Sequence, residues 1–395
     1  MIRKKTVVFP GAFFCAWNGG IKLIKSSLES ILNYDKKKHF NYILLLPDRN
    51  LISFLKRYNY ILKSFFLNIF KGRIVFDDWH YYIGAKELRS YFEKKQKKNF
   101  SIIGVDYRNE KKYLKKKPFI NIFSMNTLYV KNKIGYIFDF QHRYLPNFFS
   151  KREIIQRNLF LKKILNNNDQ IIVNSLSVKK DAYKFYSKFR TKIKALPFAP
   201  FLDYNLNELL KINIKQKFKY FIICNQFWRH KNYETPIIAF KKLFSKNIKL
   251  IITGQLDKNR NLNYFDSIKN KVNELGLNDK VLFYRTLKKK EQLSLIKNSI
   301  GLIQPSLFEG GPGGFSSYEA ISLGKPLLIS NIKVNKEIKY KHIYFFKKNN
   351  PDDLKNKMKL VLKKKSNLSK KDIILNSKNN KLKLGKFLFN LLLQH

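Results

Sequence analysis

The sequence predicts an α/β protein of two domains, each a parallel sheet covered by helices. Three observations predict it. The chain has 395 residues, too many for one ordinary domain and enough for two with separate cores. Short apolar runs alternate with stretches of helical spacing, the pattern of a sheet buried on both faces. That series stops at a polar stretch after Pro197 and Pro200 and then starts again, as it does where one domain gives way to the next.

The first series opens with the strand Thr6-Val7-Val8-Phe9, a tight loop at Pro10-Gly11, and Asn18-Gly19-Gly20 leading into a helix through Leu23, Ser27, Leu28 and Ile31. Glycines at a helix N-terminus let a ligand reach unpaired backbone N–H groups, so Gly19 and Gly20 are candidate binding residues; an ordinary loop before a helix is the other reading. Further strands are expected at Tyr42–Leu46, Arg73–Phe76, Ser101–Val105, Ile134–Phe138 and Gln170–Val173. Beyond the polar stretch Asp203–Lys217 the second series runs Tyr220–Cys224, Ile248–Thr253, Lys280–Tyr284, Ile300–Gln304 and Pro326–Ser330. The expected division is 1–200, 201–375 and a terminal helix, 376–395, packing back on the first domain. Leu384 to Leu393 is apolar enough to need such a docking surface.

Lys and Arg number 80 against 27 Asp and Glu, a formal charge of +53. Such a balance suits nucleic acid, an anionic membrane or a polyanionic substrate. It also follows from drift in genome composition, because Lys, Asn, Ile, Phe and Tyr have codons rich in A and T. The charges are dispersed along the chain without a basic arm, which weakens the nucleic-acid reading. The two cysteines, Cys15 and Cys224, sit in apolar stretches and suggest neither a disulfide framework nor a thiolate metal site, which fits a reducing cytoplasm. The N-terminus lacks the apolar run of a secretory signal, and no apolar run approaches the roughly 20 residues that span a bilayer. A helix over Leu51–Lys71 has a wide apolar face and a stripe carrying Lys56, Arg57, Lys63 and Lys71. It reads as a helix packed on the sheet or as one lying on an anionic lipid surface.

The strongest local signal is Gln304-Pro305-Ser306-Leu307-Phe308-Glu309-Gly310-Gly311-Pro312-Gly313-Gly314-Phe315-Ser316-Ser317-Tyr318-Glu319, followed by a turn and a strand. Gly310, Gly311, Gly313 and Gly314 free backbone N–H groups for an anion, and Ser316 or Ser317 is placed to cap the helix whose positive end would lie beneath it. Glu309 and Glu319 bracket that loop as acceptors for hydroxyl groups. This segment resembles the signature of the retaining glycosyltransferase group 1 family, which has the GT-B fold of two Rossmann-like domains. The resemblance implies that Glu319 binds the ribose of a nucleotide-sugar donor and that Glu309 contacts the transferred sugar. Here the two stand ten positions apart, a longer spacing than is usual for the family.

A second match, Ile222 to Asn232, is similar to the family segment in which a strand ends in a loop carrying an arginine and a lysine for the donor diphosphate. Lys231 aligns with the lysine, Gln226 occupies the usual arginine position, and Arg229 is a candidate replacement. Fixed cations at that place stabilise the charge that develops on the departing diphosphate. A third match, Tyr136 to Ser150, implies that His142 reaches the donor sugar across the cleft. Val281 to Leu287, with Tyr284 and Arg285, resembles the loop that holds the donor base. Gly313, Gly314, Phe315 and Ser316 complete the implied donor site. The resemblance covers roughly residues 130 to 365.

No Asp-x-Asp triplet, Walker A pattern or Gly-x-Gly-x-x-Gly motif occurs, so neither a metal nor a cofactor is expected. The resemblance implies a UDP- or GDP-linked sugar as substrate. The expected acceptor is a saccharide or lipid-linked molecule. The expected location is the cytoplasm, with peripheral contact at the inner membrane face. The competing classes are a basic nucleic-acid-binding protein, for which no recognisable module is present, and a sugar-nucleotide-binding protein without turnover.

Overall fold

The computed structural model describes residues 4–11, 13–47, 79–95, 98–105, 113–114, 118–125, 132–186, 188–202, 214, 216–243, 247–255, 262–284, 286–364 and 368–395. The segment Leu51–Lys71, the expected strand Arg73–Phe76 and Arg285 lie outside them.

Two all-parallel sheets carry the fold. The first holds β1 (Thr6–Pro10), β2 (Asn41–Pro47), β3 (Phe100–Val105), β4 (Ile120–Ser124), β5 (Lys133–Ile137), β6 (Gln170–Val173) and β7 (Lys192–Ala195), in the order β3-β2-β1-β4-β5-β6-β7. The second holds β8 (Lys219–Cys224), β9 (Ile248–Thr253), β10 (Val281–Tyr284), β11 (Gly301–Gln304), β12 (Leu327–Ser330) and β13 (Ile343–Phe346), in the order β10-β9-β8-β11-β12-β13. Each order reverses direction beside its first strand, and in such sheets the crevice beyond the strands' C-terminal ends at that reversal is where ligands bind. The strands β4, β7 and β13 are additions to the expected set. β4 is the most telling, because Phe119, Ile120, Ile122 and Phe123 are buried beside β1 and β5.

Burial on both faces explains the unbroken apolar strands: Ile222, Ile251 and Leu302 pack to one side of the second sheet, Ile223, Leu250 and Ile303 to the other. The first-domain core includes Leu384, Leu388, Leu391 and Leu392 of the helix Lys370–Leu392, which therefore crosses from the second domain to the first. Gly385 lets it lie close to the helix Asn18–Tyr34, since a methyl group there would stand 2.8 Å from the Tyr34 Cβ. No described helix is long and apolar enough to cross a membrane.

The domains touch directly. Ser175 Oγ donates to the Gly310 carbonyl at 2.9 Å, and the Leu176 and Ser177 N–H groups, at the start of the helix Leu176–Phe185, donate to the Glu337 carboxylate at 2.9 and 2.7 Å. A carboxylate from one domain thus answers the positive helix end of the other.

Candidate active site

Between the sheets lies a cavity of about 780 Å³, lined by loops that follow β1, β5, β8, β9 and β11. Both domains contribute to it, as the reversal in each strand order requires.

The second domain supplies the Gly-rich loop and the helix Gly314–Ser322. Gly313 and Gly314 have φ of 70° and 65°, the left-handed region that makes glycine the residue of choice at this loop-to-helix junction. The helix start has no side-chain cap, which corrects the expectation for Ser316 and Ser317. Ser317 Oγ instead donates to the Gly313 carbonyl at 2.7 Å, and Ser316 Oγ to Gln304 Oε1 at 3.3 Å. Gly313 is not brought to the cavity: its N–H is taken by Asn335 Oδ1 at 2.9 Å, and it is not among the lining residues. Gly314, Phe315 and Ser316 do line it.

Glu309 and Lys231 are paired at 2.5 Å inside the cavity, with Gln304 Nε2 donating to the same Glu309 oxygen at 2.9 Å. Glu319 is buried at the cavity wall. Lys22, from the helix Asn18–Tyr34 of the first domain, donates to its Oε1, Lys289 stands 2.6 Å from the same oxygen, and Gln292 Nε2 donates to Oε2 at 3.2 Å. Burial alone would raise the Glu319 carboxyl, but the charges of Lys22 and Lys289 outweigh it and hold it below its ordinary value. Burial brings Lys22 down to about 8 against the pull of Glu319, while for Lys289 the carboxylate prevails and raises it. Lys22 also lies over the Phe315 ring, 5.2 Å from its centre.

Other expected residues fall elsewhere. Gln226 lines the cavity, but Arg229 does not; its guanidinium sits over the Tyr264 ring. The residues Arg229–Lys231 form a 3₁₀ turn, whose three-residue period sends Arg229 and Lys231 in different directions. His142 is placed elsewhere too. It is buried away from the cavity lining, with Nε2 2.9 Å from Asn158 Oδ1 and the ring edge-on to Phe149. Burial lowers its pKa, as do Arg157 and Arg143. Tyr284 is held off the cavity with its hydroxyl donating to Gln216 Oε1 at 3.3 Å, and Thr286 and Leu287 line the wall instead. Gly19 lines the cavity and Gly20 is buried, yet both serve a neighbour: a Cβ at either position would overlap the Trp17 indole, which lies across the first helical turn.

Sequence reasoning missed Asp139, Lys22 and Lys289. The Asp139 signal was present in the stretch around His142, since a strand's last residues face the cleft. The lysines gave none in a chain with 80 basic residues.

Residues 207–380 match the family described as Glycosyl transferases group 1. No curated protein matches the chain. Among solved structures, HepE of Anabaena, in complex with UDP and glucose, is similar with 11% identity and a TM-score of 0.59, over 97% of this chain and 94% of its own. Sucrose-phosphate synthase from Thermosynechococcus elongatus is similar with 13% identity and a TM-score of 0.58, over 99% and 97%. A glycosyltransferase from Rickettsia africae is similar with 13% identity and a TM-score of 0.55, over 99% and 98%. The fold is therefore GT-B, two Rossmann-like domains across a cleft, and within it residues 207–380 of the second domain match the glycosyl transferases group 1 family.

Proposed function

We propose that the chain is a retaining hexosyltransferase that moves a sugar from a UDP- or GDP-linked donor to a saccharide or lipid-linked acceptor. The observation that carries this reading is the convergence of Glu319, Glu309 and Lys231 on one cavity at the C-terminal ends of both sheets. Glu319 is a buried carboxylate suited to two neighbouring ribose hydroxyls, which replace the Lys22 and Lys289 ammonium groups as hydrogen-bond donors. Lys231, with the N-terminus of the helix Gly314–Ser322, faces the diphosphate and stabilises the charge that gathers there as the sugar leaves. These fixed cations do the work that a metal does elsewhere, so the reading calls on no cofactor. The solved structure of HepE with UDP and glucose, on the same fold, supports a uracil-linked donor as the first to try.

Incubation with a panel of radiolabelled nucleotide sugars tests it. One donor is slowly hydrolysed without acceptor, and the released sugar keeps its anomeric configuration when followed by NMR. Neither binding nor hydrolysis of any donor in the panel would sink the reading.

A further inference from the structure

Asp139 has no part in the reading above, although it lines the same cavity. It follows β5, and its Oδ1 accepts the Gln141 N–H at 2.9 Å, closing the turn into the short helix Gln141–Tyr144. Among the described residues no hydrogen bond reaches its Oδ2. Across the domain boundary stands Gly310, where a methyl group would come within 2.8 Å of the Asp139 Cβ and 3.3 Å of Oδ2. Only glycine lets the loop after Glu309 close over this carboxylate. The charged groups that face Asp139 are Arg157 from the helix Lys151–Asn166, and Glu309 and Lys231 from the second domain. Lys231 is already paired with Glu309. The carboxylate is part-buried at the cavity wall, and its Oδ2, without a partner among the described residues, is open to a ligand that donates to it.

We propose that Asp139 is a specificity-determining residue that accepts a hydrogen bond from a hydroxyl of the transferred sugar, holding it from the first domain while Glu309 holds it from the second. The inference rests on the nucleotide-sugar reading above. A diphosphate is the wrong partner for this oxygen because like charges repel, whereas sugar hydroxyls are neutral donors. Contact with Gly310, the residue after Glu309, puts Asp139 beside the sugar and away from the base. Burial pushes its carboxyl up to about 6, with Glu309 adding to that and the Gln141 N–H, Arg157 and Lys231 opposing it. The acceptor oxygen is therefore lost to protonation just below neutral pH.

The test is Asp139→Asn in the full chain, because Asn keeps an oxygen for the Gln141 N–H and removes only the charge. Calorimetry with UDP and with UDP-glucose, or whichever panel donor the wild type binds, reads the effect. The variant is expected to bind UDP within about 2-fold of wild type and the nucleotide sugar about 10-fold or more weakly, the range of a hydrogen bond to a charged group. The wild-type advantage shrinks as pH falls through about 6. Deoxy-sugar donors offered to the wild type give the same answer without a variant: loss of one hydroxyl costs a similar factor near pH 7.5 and little below that transition. Equal loss of UDP and sugar affinity, unchanged sugar affinity in the variant, or no costly hydroxyl among the deoxy donors overturns the assignment. A wild type that binds no nucleotide sugar overturns the underlying reading instead, so the two failures are distinct.

Discussion

Lys22 and Glu319 lie 297 positions apart in the chain and in different domains, yet the Lys22 ammonium donates directly to the Glu319 carboxylate. Lys289 shares the same oxygen at 2.6 Å, so one buried anion holds two cations together across the cleft.

Removing that anion leaves two ammonium groups facing one another in a half-buried place. Glu319→Ala is therefore expected to destabilise the protein by about 3–5 kcal/mol, the cost of breaking a buried pair from one side. Lys22→Ala leaves the Lys289 pairing intact and should cost about 1–2 kcal/mol. Urea denaturation of the two variants checks the ratio; equal losses would show that the two lysines do not share the carboxylate.

For chemistry, Lys231→Ala and Glu319→Gln are each expected to reduce sugar transfer by about 100-fold or more, as lost charge stabilisation or a misplaced donor does. The Gln variant is preferred to Ala because it keeps the side chain's volume and an acceptor oxygen while removing the charge, and its denaturation curve shows how much of the loss of transfer is loss of fold. Near-normal transfer by both would remove the proposed donor site.

Arg229 and His142 are expected to behave differently from Lys231. Arg229→Ala removes a contact with the Tyr264 ring outside the cavity lining, and transfer should stay within about 3-fold of wild type, the effect of a change away from the reacting groups. His142→Ala empties a buried position beside Asn158 and Phe149, so the melting temperature should fall while kcat is kept. A large drop in kcat at unchanged stability in either variant would return that residue to the site.

The Asp139 carboxyl gives a pH dependence of stability. Its folded pKa, raised to about 6, exceeds its ordinary value of 3.8, so between these the folded state binds more protons than the unfolded one. The group's contribution is fully present below the unfolded value and is lost as pH rises through about 6. Asp139→Asn should therefore match the wild type near pH 4 and be the more stable protein at pH 7, by an amount on the order of 1–3 kcal/mol. Denaturation curves at the two pH values decide it, and a variant less stable than wild type at pH 7 contradicts the assignment.

The segment Leu51–Lys71 yields a prediction from sequence alone. If its basic stripe meets lipid, the protein floats with anionic liposomes at low salt and not with neutral ones, each Lys or Arg adding about 1 kcal/mol. Raising the salt should release it, since the attraction is screened within roughly 10 Å at 0.1 M. Flotation indifferent to both lipid charge and salt would remove the lipid-surface reading of this segment.

By itself the sequence determined the fold class, most strands, and the loop from Glu309 to Glu319, because apolar periodicity, glycine runs and strand-to-helix junctions are local properties of the chain. Lys231 was legible for the same reason, as a cation just past a strand end. Tertiary structure decided what each of these residues faces. Arg229 and Lys231 differ only in which way a 3₁₀ turn directs them, and the short spacing between Asp139 and His142 hides that one lines the cavity while the other is buried behind it. The Gly19-Gly20 pair reads as room for a ligand until the Trp17 indole is seen to occupy the space. Above all, the two lysines on Glu319 come from separate helices in separate domains, and an electrostatic pairing of that kind depends on distance in space, of which position along the chain carries no record.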